Sequence, residues 1–234
     1  MADWRNTAKR RAAQEAVKWI RDGHTVGLGT GSTIYYALEE LGRRIQTEPL
    51  QIQGISTSSQ TTKIATQFQI PLVTLNECPR IDIAIDGADQ VDPTFNLIKG
   101  MGGALTREKI VATAAHTVII VVDETKLSSC LGHHQVVPIE VLPFAEQYIV
   151  QRLMKLAKHI ERRTTSSFQP YITDNSNYIL DVDFGEINDP QSLEKTIKNL
   201  PGVIEVGLFI NTTDIICVGT QTTVEIHYKS KFRD

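Results

Sequence analysis

The 234-residue chain has few of the features that mark secreted, metal-binding or membrane proteins. Its three cysteines, Cys78, Cys130 and Cys217, are scattered and odd in number, with no CxxC or Cys/His spacing. This pattern argues against a disulfide framework and against a zinc site. The longest apolar runs, such as residues 118–122, are far too short to span a bilayer. The first residues also lack the apolar core of a signal peptide, so we expect a cytoplasmic protein.

The chain also lacks an excess of charge of one sign. A net charge of −3 gives no general reason to expect nucleic acid or a membrane as a partner. A small anionic ligand would therefore need a local cluster of positive charge. The six histidines show no ligand spacing such as HxxxH, and we assign none of them a role. Hydrophobic residues make up 41%, enough for one large domain or one domain carrying an insert.

The sequence does contain a regular alternation of helical periodicity and short apolar runs up to about residue 130. Predicted helices cover residues 8–20, 34–45, 58–67 and 106–115. Predicted strands cover residues 25–28, 51–55, 72–74, 81–85 and 118–122. Because apolar strands alternate with helices, we predict an α/β fold with a doubly wound, mostly parallel, Rossmann-like sheet. Ligands are expected at the carboxyl ends of its strands.

After about residue 130 the pattern changes to that of a smaller α+β domain. The predicted elements are an extended segment at 136–143, a helix at 145–159, a hairpin at 171–182, a helix at 190–199 and a strand at 203–210. Their order indicates a ferredoxin-like (ACT-like) domain inserted near the C-terminus. We place it at residues 133–207, with the sheet domain formed by 1–132 plus 208–234. Two last strands, at 215–218 and 223–227, are predicted to return to the first sheet.

A first glycine turn, GLGTGST at residues 27–33, lies at a predicted strand-to-helix junction. Glycines there let backbone N–H groups converge, and the positive end of the helix dipole favours an anion. The turn has no lysine for a Walker A loop, and no acid ends the next strand to hold a dinucleotide ribose. Two interpretations of this turn remain: a tight turn that binds no ligand, and a turn that binds a phosphate or a sugar. The hydroxyls of Thr30, Ser32 and Thr33 favour the second, and Ser32 or Thr33 is predicted to cap the helix.

Two carboxylates, Asp86 and Asp89, follow the apolar strand 81–85 in the motif DGAD. Alone, this motif could be an Asx turn that caps the next segment. Two carboxylates close together would raise each other's proton affinity, which suits one of them to general acid or base catalysis.

A second glycine loop follows ten residues later, in the segment KGMGGALTREK. Lys99 and the glycines after it form a second candidate anion-binding nest. Glu108 falls in the first turn of the next predicted helix, which we expect to be capped near Thr106. A glutamate there could be only a partner of the helix dipole, but its position after the glycine loop favours a catalytic role.

Taken together, these segments resemble the ribose-5-phosphate isomerase family of the A type over nearly the whole chain. The most specific matches are GTGST, DGAD and KGMGGALTREK, in this order and spacing. The resemblance implies interconversion of D-ribose 5-phosphate and D-ribulose 5-phosphate through a cis-enediol(ate), in the non-oxidative pentose phosphate pathway. It implies no metal and no organic cofactor. It also implies a homodimer or homotetramer, with the smaller domain contributing to assembly.

The resemblance also implies roles for individual residues. Glu108 resembles the base that moves a proton between C2 and C1, and Asp86 the residue that handles the hydroxyl and ring-opening protons. Lys99 resembles the cation that stabilises the enediolate oxygen. The implied substrate-binding residues are Thr30, Gly31, Ser32, Thr33, Asp86, Gly87, Ala88, Asp89, Lys99, Gly100, Met101, Gly102, Lys126 and Lys9.

Two residues depart from the family pattern. Gln90 stands where DGAD is usually followed by glutamate, and Met101 interrupts a loop that usually reads KGGG. Neither change removes a proton-transfer residue, so the predicted activity is unchanged. Two other hypotheses are a related sugar-phosphate enzyme, such as a lactonase or an amino-sugar deaminase, and a non-catalytic sugar-phosphate sensor fused to a DNA-binding regulator. The sensor predicts an added helix-turn-helix region, whereas one predicted helix precedes the first strand.

Overall fold

The computed structural model describes residues 4–229, and these form six α-helices and thirteen strands. The helices are α1 (Trp4–Val17), α2 (Ser32–Thr47), α3 (Ser59–Gln67), α4 (Leu105–Ala114), α5 (Glu146–Leu153) and α6 (Pro190–Lys198). The strands are β1 (Thr25–Leu28), β2 (Gln53–Ser56), β3 (Ile81–Asp86), β4 (Gln90–Val91), β5 (Leu97–Ile98), β6 (Ala115–Asp123), β7 (Val137–Val141), β8 (His159–Arg162), β9 (Tyr178–Asp183), β10 (Val203–Val206), β11 (Leu208–Phe209), β12 (Ile215–Gly219) and β13 (Val224–Tyr228). Within the described range, no helix combines the length and the apolar character needed to cross a membrane.

The described chain divides into two compact units, which do not follow the sequence in a simple order. The first unit contains the described residues up to Ala88, Arg107–Lys126 and the described residues from Thr212 onward. The second unit contains Asp89–Thr106 and Leu127–Asn211. Residues 89–106 and 127–132, which the sequence pattern assigns to the sheet domain, pack in the second unit. Strands β4, β5 and β11 account for part of this, since they pair with one another within that unit.

The first unit is built on a six-stranded sheet of order β13-β12-β6-β3-β1-β2. Five of these strands run parallel, and β13 pairs antiparallel with β12 at one edge. Every residue of β1 and of β12 is buried, as is typical of parallel strands covered on both faces. The prediction of an α/β fold with a mostly parallel sheet is confirmed, including the return of the last two strands to it.

Helices cover both faces of this sheet. Side chains alternate along a strand, so Val26 and Leu28 of β1 point to one face and Gly27 points to the other. Val26 and Leu28 belong to a buried cluster with residues of α1 and α2. A Cβ atom on Gly27 would lie 2.5 Å from the Cγ1 atom of Val111 in α4. Helix α4 therefore packs on the opposite face, at a distance from β1 that a larger residue would prevent.

The parallel strands place several predicted site residues at one edge of the sheet. Leu28, the last residue of β1, pairs with Ser56 of β2 and with Ile85 of β3. Asp86 pairs with Ile120 of β6. Because the strands are parallel, the glycine turn after β1, Asp86 at the end of β3 and the segment after β6 lie along the carboxyl edge, where α/β proteins bind ligands.

The second unit contains a four-stranded antiparallel sheet of order β10-β7-β9-β8 and a three-stranded sheet of order β11-β5-β4. Helix α5 lies between β7 and β8 in the chain, and α6 lies between β9 and β10. Apolar residues from both sheets and both helices form one buried core, which includes Ile139, Ile149, Ile197 and Leu208. The two sheets therefore stabilise each other within this unit.

Two local predictions in this unit are wrong. The helix predicted for 145–159 forms but ends at Leu153; residues 154–158 form a turn, and β8 begins at His159. The hairpin predicted for 171–182 does not form, because β9 pairs with β7 and β8 instead. Residues 173–177 keep only the turn of that hairpin. In both cases the partners are distant in sequence, and such pairing overrides local propensity.

The strand predicted for 72–74 is also wrong. Leu72 makes a single isolated bridge with Gly54, next to the edge strand β2. The backbone N–H of Val73 donates to the carbonyl oxygen of Gly54 at 2.9 Å, and Gly54 donates to Pro71 at 2.7 Å. The segment therefore pairs with β2 only at Gly54 and does not form a further strand of the sheet.

The cysteines give a direct test of the packing of β12. Cys217 is fully buried, and burial raises the pKa of its thiol to about 12. Because the thiolate is the reactive form, only about one thiol in ten thousand would be ionised at pH 8. We expect iodoacetamide to leave Cys217 unmodified in the folded protein while it labels the half-buried Cys78 and Cys130.

Mass spectrometry of the peptides would show the labelled positions, with protein in guanidinium chloride, where all three thiols should react, as the control. If Cys217 reacted in native buffer as fast as the other two, the buried position of β12 would be wrong.

Candidate active site

The turn after β1 is held by a network of buried hydroxyl groups. The Oγ1 atom of Thr30 lies 2.8 Å from Thr57 Oγ1, 2.9 Å from Ser58 Oγ and 3.1 Å from Thr61 Oγ1. All four residues are buried. No sequence pattern selected Thr57, Ser58 and Thr61 as site residues. The available signal was the run of hydroxyl residues at the carboxyl end of a predicted strand.

The N-terminus of α2 has the features of an anion-binding site. Helix α2 begins at Ser32, and its N-cap is Gly31 with a φ of 125°. The predicted capping by Ser32 or Thr33 is therefore wrong, because both residues lie inside the first helical turn. Glycine offers no side chain to the first N–H groups of the helix, and such groups favour an anion. Lys9 of α1 lies beside them and donates from Nζ to Ser32 Oγ at 3.2 Å.

Asp86, the last residue of β3, is hydrogen-bonded to the same turn. Its Oδ1 atom accepts hydrogen bonds from the backbone N–H of Thr30 at 3.1 Å and of Gly87 at 2.8 Å. The residue is 6% exposed. A Cβ atom on Gly29 would lie 2.1 Å from Asp86 Oδ1 and 2.7 Å from Asp86 Cα. The structure thus brings together two motifs that are more than fifty residues apart in the sequence.

Glu108 and Lys126 complete the predicted site residues of the first unit. Glu108 lies in the first turn of α4 and is 3% exposed. Thr106, predicted to cap this helix, lies within it and donates from Oγ1 to Glu140 Oε2 at 2.5 Å. Lys126 is half-buried and ends a short 3₁₀ turn, Glu124–Lys126, that follows β6 at the carboxyl edge of the sheet.

The Lys99 loop, residues 99–103, belongs to the second unit. Lys99 is 3% exposed, its backbone N–H donates to Gly207 at 2.9 Å, and its Nζ atom lies 5.4 Å from the centre of the Phe209 ring. Gly100 and Gly103 have φ values of 106° and 80°, which glycine adopts without strain. The N–H of Gly103 donates to the carbonyl oxygen of Gly100 at 3.0 Å, and this bond closes the loop.

Met101, one of the two departures from the family pattern, fits this loop without distorting it. Its backbone N–H donates to Asp89 Oδ2 at 3.0 Å, and its side chain is 45% exposed. The loop therefore uses the backbone N–H of residue 101, which every amino acid except proline provides. Asp89 in turn holds the loop through one carboxylate oxygen, Oδ2.

Gln90, the other departure, is buried and serves two partners at once. Its Nε2 atom donates to the carbonyl oxygen of His133 at 2.9 Å, and its Oε1 atom accepts from the N–H of Gly132 at 2.8 Å. An amide can donate and accept, whereas an ionised carboxylate can only accept. The amide of Gln90 therefore suits its position in the second unit.

Each unit thus contains a glycine loop and a buried or half-buried lysine, and the first unit also contains buried carboxylates, which is typical of α/β enzymes that act on small anionic substrates. In the part of the chain from residue 4 to 229, no three metal-binding side chains lie together. Comparison with known proteins gives the family. Residues 53–223 match the profile of ribose 5-phosphate isomerase A (phosphoriboisomerase A). The chain belongs to the ribose 5-phosphate isomerase A family.

Similar proteins support the match over almost the full length. Ribose-5-phosphate isomerase A of Thermosynechococcus vestitus is 47% identical over 213 residues, which is 90% of each chain. The structure of the enzyme from Methanocaldococcus jannaschii is 44% identical, with a TM-score of 0.91, and the match covers 95% of this chain and 99% of that one. A structure of D-ribose-5-phosphate isomerase in complex with phospho-erythronic acid is 42% identical, with a TM-score of 0.93, and covers 96% and 99%.

The close approach of Gly29 to Asp86 predicts the effect of one added methyl group. In Gly29→Ala, the new Cβ would meet the backbone of β3, so β1 and β3 would have to separate. We expect the free energy of unfolding in urea to fall by about 1–3 kcal/mol. Turnover should fall as well, because Asp86 is displaced.

Gly87→Ala is the matched control for stability, since its Cβ would lie 3.8 Å from its nearest neighbour and its φ is not positive. Equal urea midpoints for the two variants would show that the contact between Gly29 and Asp86 is not tight.

Proposed function

We propose that this chain interconverts D-ribose 5-phosphate and D-ribulose 5-phosphate through a cis-enediolate, using Glu108, Asp86 and Lys99. The observation that carries the proposal is the position of Asp86, whose carboxylate is held inside the anion-binding turn by two backbone N–H groups. Membership of the family supplies the reaction, and the geometry within each unit supports the division of labour among the residues.

Glu108 acts as the base for the carbon-bound proton. It takes the proton from C2 of the open-chain aldose, the C1–C2 double bond forms, and the C1 carbonyl oxygen takes up the negative charge. Return of the proton to C1 and re-formation of a carbonyl at C2 give the ketose. Such a step needs one positioned base, and it needs water kept away from it. The burial of Glu108 in the first turn of α4 suits that role.

Asp86 and Lys99 act on the oxygens. Asp86 moves the hydroxyl proton and the proton of ring opening, and Lys99 stabilises the charge that develops on the enediolate oxygen. A fixed cation aimed at a developing oxyanion lowers the barrier because it needs no reorganisation during the reaction. Lys99 is well suited to this, since its side chain is buried and its backbone is fixed to Gly207.

The N-terminus of α2 is the best candidate for the phosphate. Ser32 and Thr33 supply hydroxyls in its first turn, and Lys9 supplies a cation next to Ser32. The hydroxyl of Thr30 is engaged by three other hydroxyls and its backbone N–H binds Asp86, so Thr30 contributes by fixing the shape of the turn. The remaining residues of the proposed substrate site are Gly31, Gly87, Ala88, Asp89, Gly100, Met101, Gly102 and Lys126.

Removal of the base gives the sharpest test of this mechanism. Glu108→Gln keeps the size of the side chain but cannot take up a proton, so kcat should fall by about 10²–10⁴-fold. The assay follows formation of ribulose 5-phosphate from ribose 5-phosphate in the presence of EDTA. Glu225→Gln, on the edge strand β13, is the control and should retain full activity. Full turnover by Glu108→Gln would exclude Glu108 as the base, and loss of wild-type activity in EDTA would exclude a metal-free mechanism.

The two units also support finer structural assignments. The parallel sheet with helices on both faces is consistent with a Rossmann-like domain. The element order β7-α5-β8-β9-α6-β10, with the sheet order β10-β7-β9-β8, supports a ferredoxin-like (ACT-like) second unit. The cytoplasmic location stays a prediction.

We further propose that the second unit mediates formation of a homodimer or homotetramer. Several large apolar side chains that stay exposed on one compact unit are typical of an interaction site. The exposed large apolar residues of this unit include Leu142, Phe144, Tyr148, Met154, Leu156, Phe168 and Ile172, and Phe144 is fully exposed.

Light scattering after gel filtration should therefore give two or four times the mass of one chain. Phe144→Ser should shift the equilibrium toward smaller species on dilution. A monomer at micromolar concentration would contradict the proposal.

A further inference from the structure

Arg163 connects two parts of the second unit through its guanidinium group. It follows β8, and its Nε and Nη2 atoms donate to the two carboxylate oxygens of Asp181 on β9, with a distance of 2.8 Å between Nε and Oδ2. Its Nη1 atom donates to the carbonyl oxygens of Gly100 and Met101, at 2.8 Å and 3.0 Å. The side chains of Arg163 and Asp181 are only 11% and 18% exposed.

We propose that Arg163 is a positioning residue for the reaction, acting through the Lys99 loop; the inference rests on the proposed role of Lys99. The two carbonyl groups that Arg163 binds come immediately after Lys99 in the chain. No sequence pattern pointed to Arg163, which lies about sixty residues away from this loop.

Peptide geometry explains how one side chain can fix this loop. The carbonyl of Gly100 and the N–H of Met101 belong to one planar trans peptide, so they point in opposite directions. Arg163 binds the carbonyl, and Asp89 accepts from the N–H at 3.0 Å. This peptide is therefore held from both sides. The next peptide joins Met101 to Gly102. Arg163 binds its carbonyl oxygen, so its N–H, which belongs to Gly102, points away from Arg163.

Tyr171 supports the same loop. The Cζ atom of Arg163 lies 5.9 Å from the centre of the Tyr171 ring, and the Tyr171 hydroxyl donates to the carbonyl oxygen of Gly102 at 3.4 Å. A Cβ atom on Gly103 would lie 2.6 Å from the Tyr171 ring. Three successive carbonyl groups, those of residues 100–102, thus have side-chain donors from 163 and 171.

Only arginine can make this set of bonds. Its planar guanidinium presents donors in a fixed fork, so it can bind a carboxylate with two atoms and the loop with a third. The ammonium group of lysine is a point charge on a flexible stem, and it can pair with Asp181 but cannot also reach both carbonyls. Arg163→Lys therefore separates the two functions, because the ion pair that stabilises the unit remains and the hold on the loop is lost.

The first experiment compares Arg163→Lys with Arg162→Lys. Arg162 is the adjacent residue, and its Nη1 atom pairs with Glu146 at 3.1 Å, away from the loop. In Arg163→Lys we expect kcat to fall by about 10–100-fold, because a small misplacement of a catalytic group costs that much. The KM for ribose 5-phosphate and the melting temperature should stay close to those of Arg162→Lys, which should behave as wild type.

The second experiment tests whether Arg163 acts through Lys99. Lys99→Ala alone should lower kcat by about 10²–10³-fold. When Arg163→Lys is added to Lys99→Ala, the further loss should be less than about three-fold, since the loop no longer carries the group to be positioned. A purely structural role for Arg163 would give the same factor in both backgrounds.

The outcomes separate this inference from the proposed function. If Lys99→Ala retains full turnover, the proposed role of Lys99 fails, and the inference fails with it. If Lys99→Ala loses turnover but Arg163→Lys equals Arg162→Lys, only the inference is overturned. It is also overturned if the losses from Arg163→Lys and Lys99→Ala multiply.

Discussion

The contact between Gly29 and Asp86 sets the spacing on which the first unit depends. At the carboxyl edge of the sheet, β1 and β3 approach so closely that Asp86 occupies the space where a Cβ on residue 29 would be. This closeness lets the N–H of Thr30 reach the carboxylate. The same turn then leads into α2, whose first turn starts without a capping side chain. Because Gly29 has no Cβ, Asp86 can occupy this space, and the turn that binds its carboxylate leads directly into the first turn of α2.

Within each unit, the proposed site residues are oriented by hydrogen bonds between side chains and backbone groups. In the first unit, backbone N–H groups orient Asp86. In the second, Asp89 and Arg163 hold one peptide of the Lys99 loop from opposite sides. A peptide dipole fixed in this way does not need to rotate as charge develops, which is the property that the proposed role of this loop requires.

The features whose structure is set by neighbouring residues could be predicted from the sequence. The features that depend on contacts between distant segments could not. Strand β1 and the DGAD motif follow from apolar runs and glycines, which encode their structure within a few residues. The hydroxyls of Thr57 and Thr61, and the grip of Arg163 on the loop, arise from contacts between segments far apart in the chain. The error over β8 has the same origin, since its partner β9 lies about twenty residues further on. Neither periodicity nor motif spacing carries such information.

The amide of Gln90 has a consequence for the tolerance of the second unit to acid. It joins β4 to the backbone of residues 132 and 133 through one donated and one accepted bond. A glutamate at this position would change its bonding capacity whenever it gained or lost a proton. The amide has no such transition, so this connection keeps both bonds through the whole range in which carboxylates titrate.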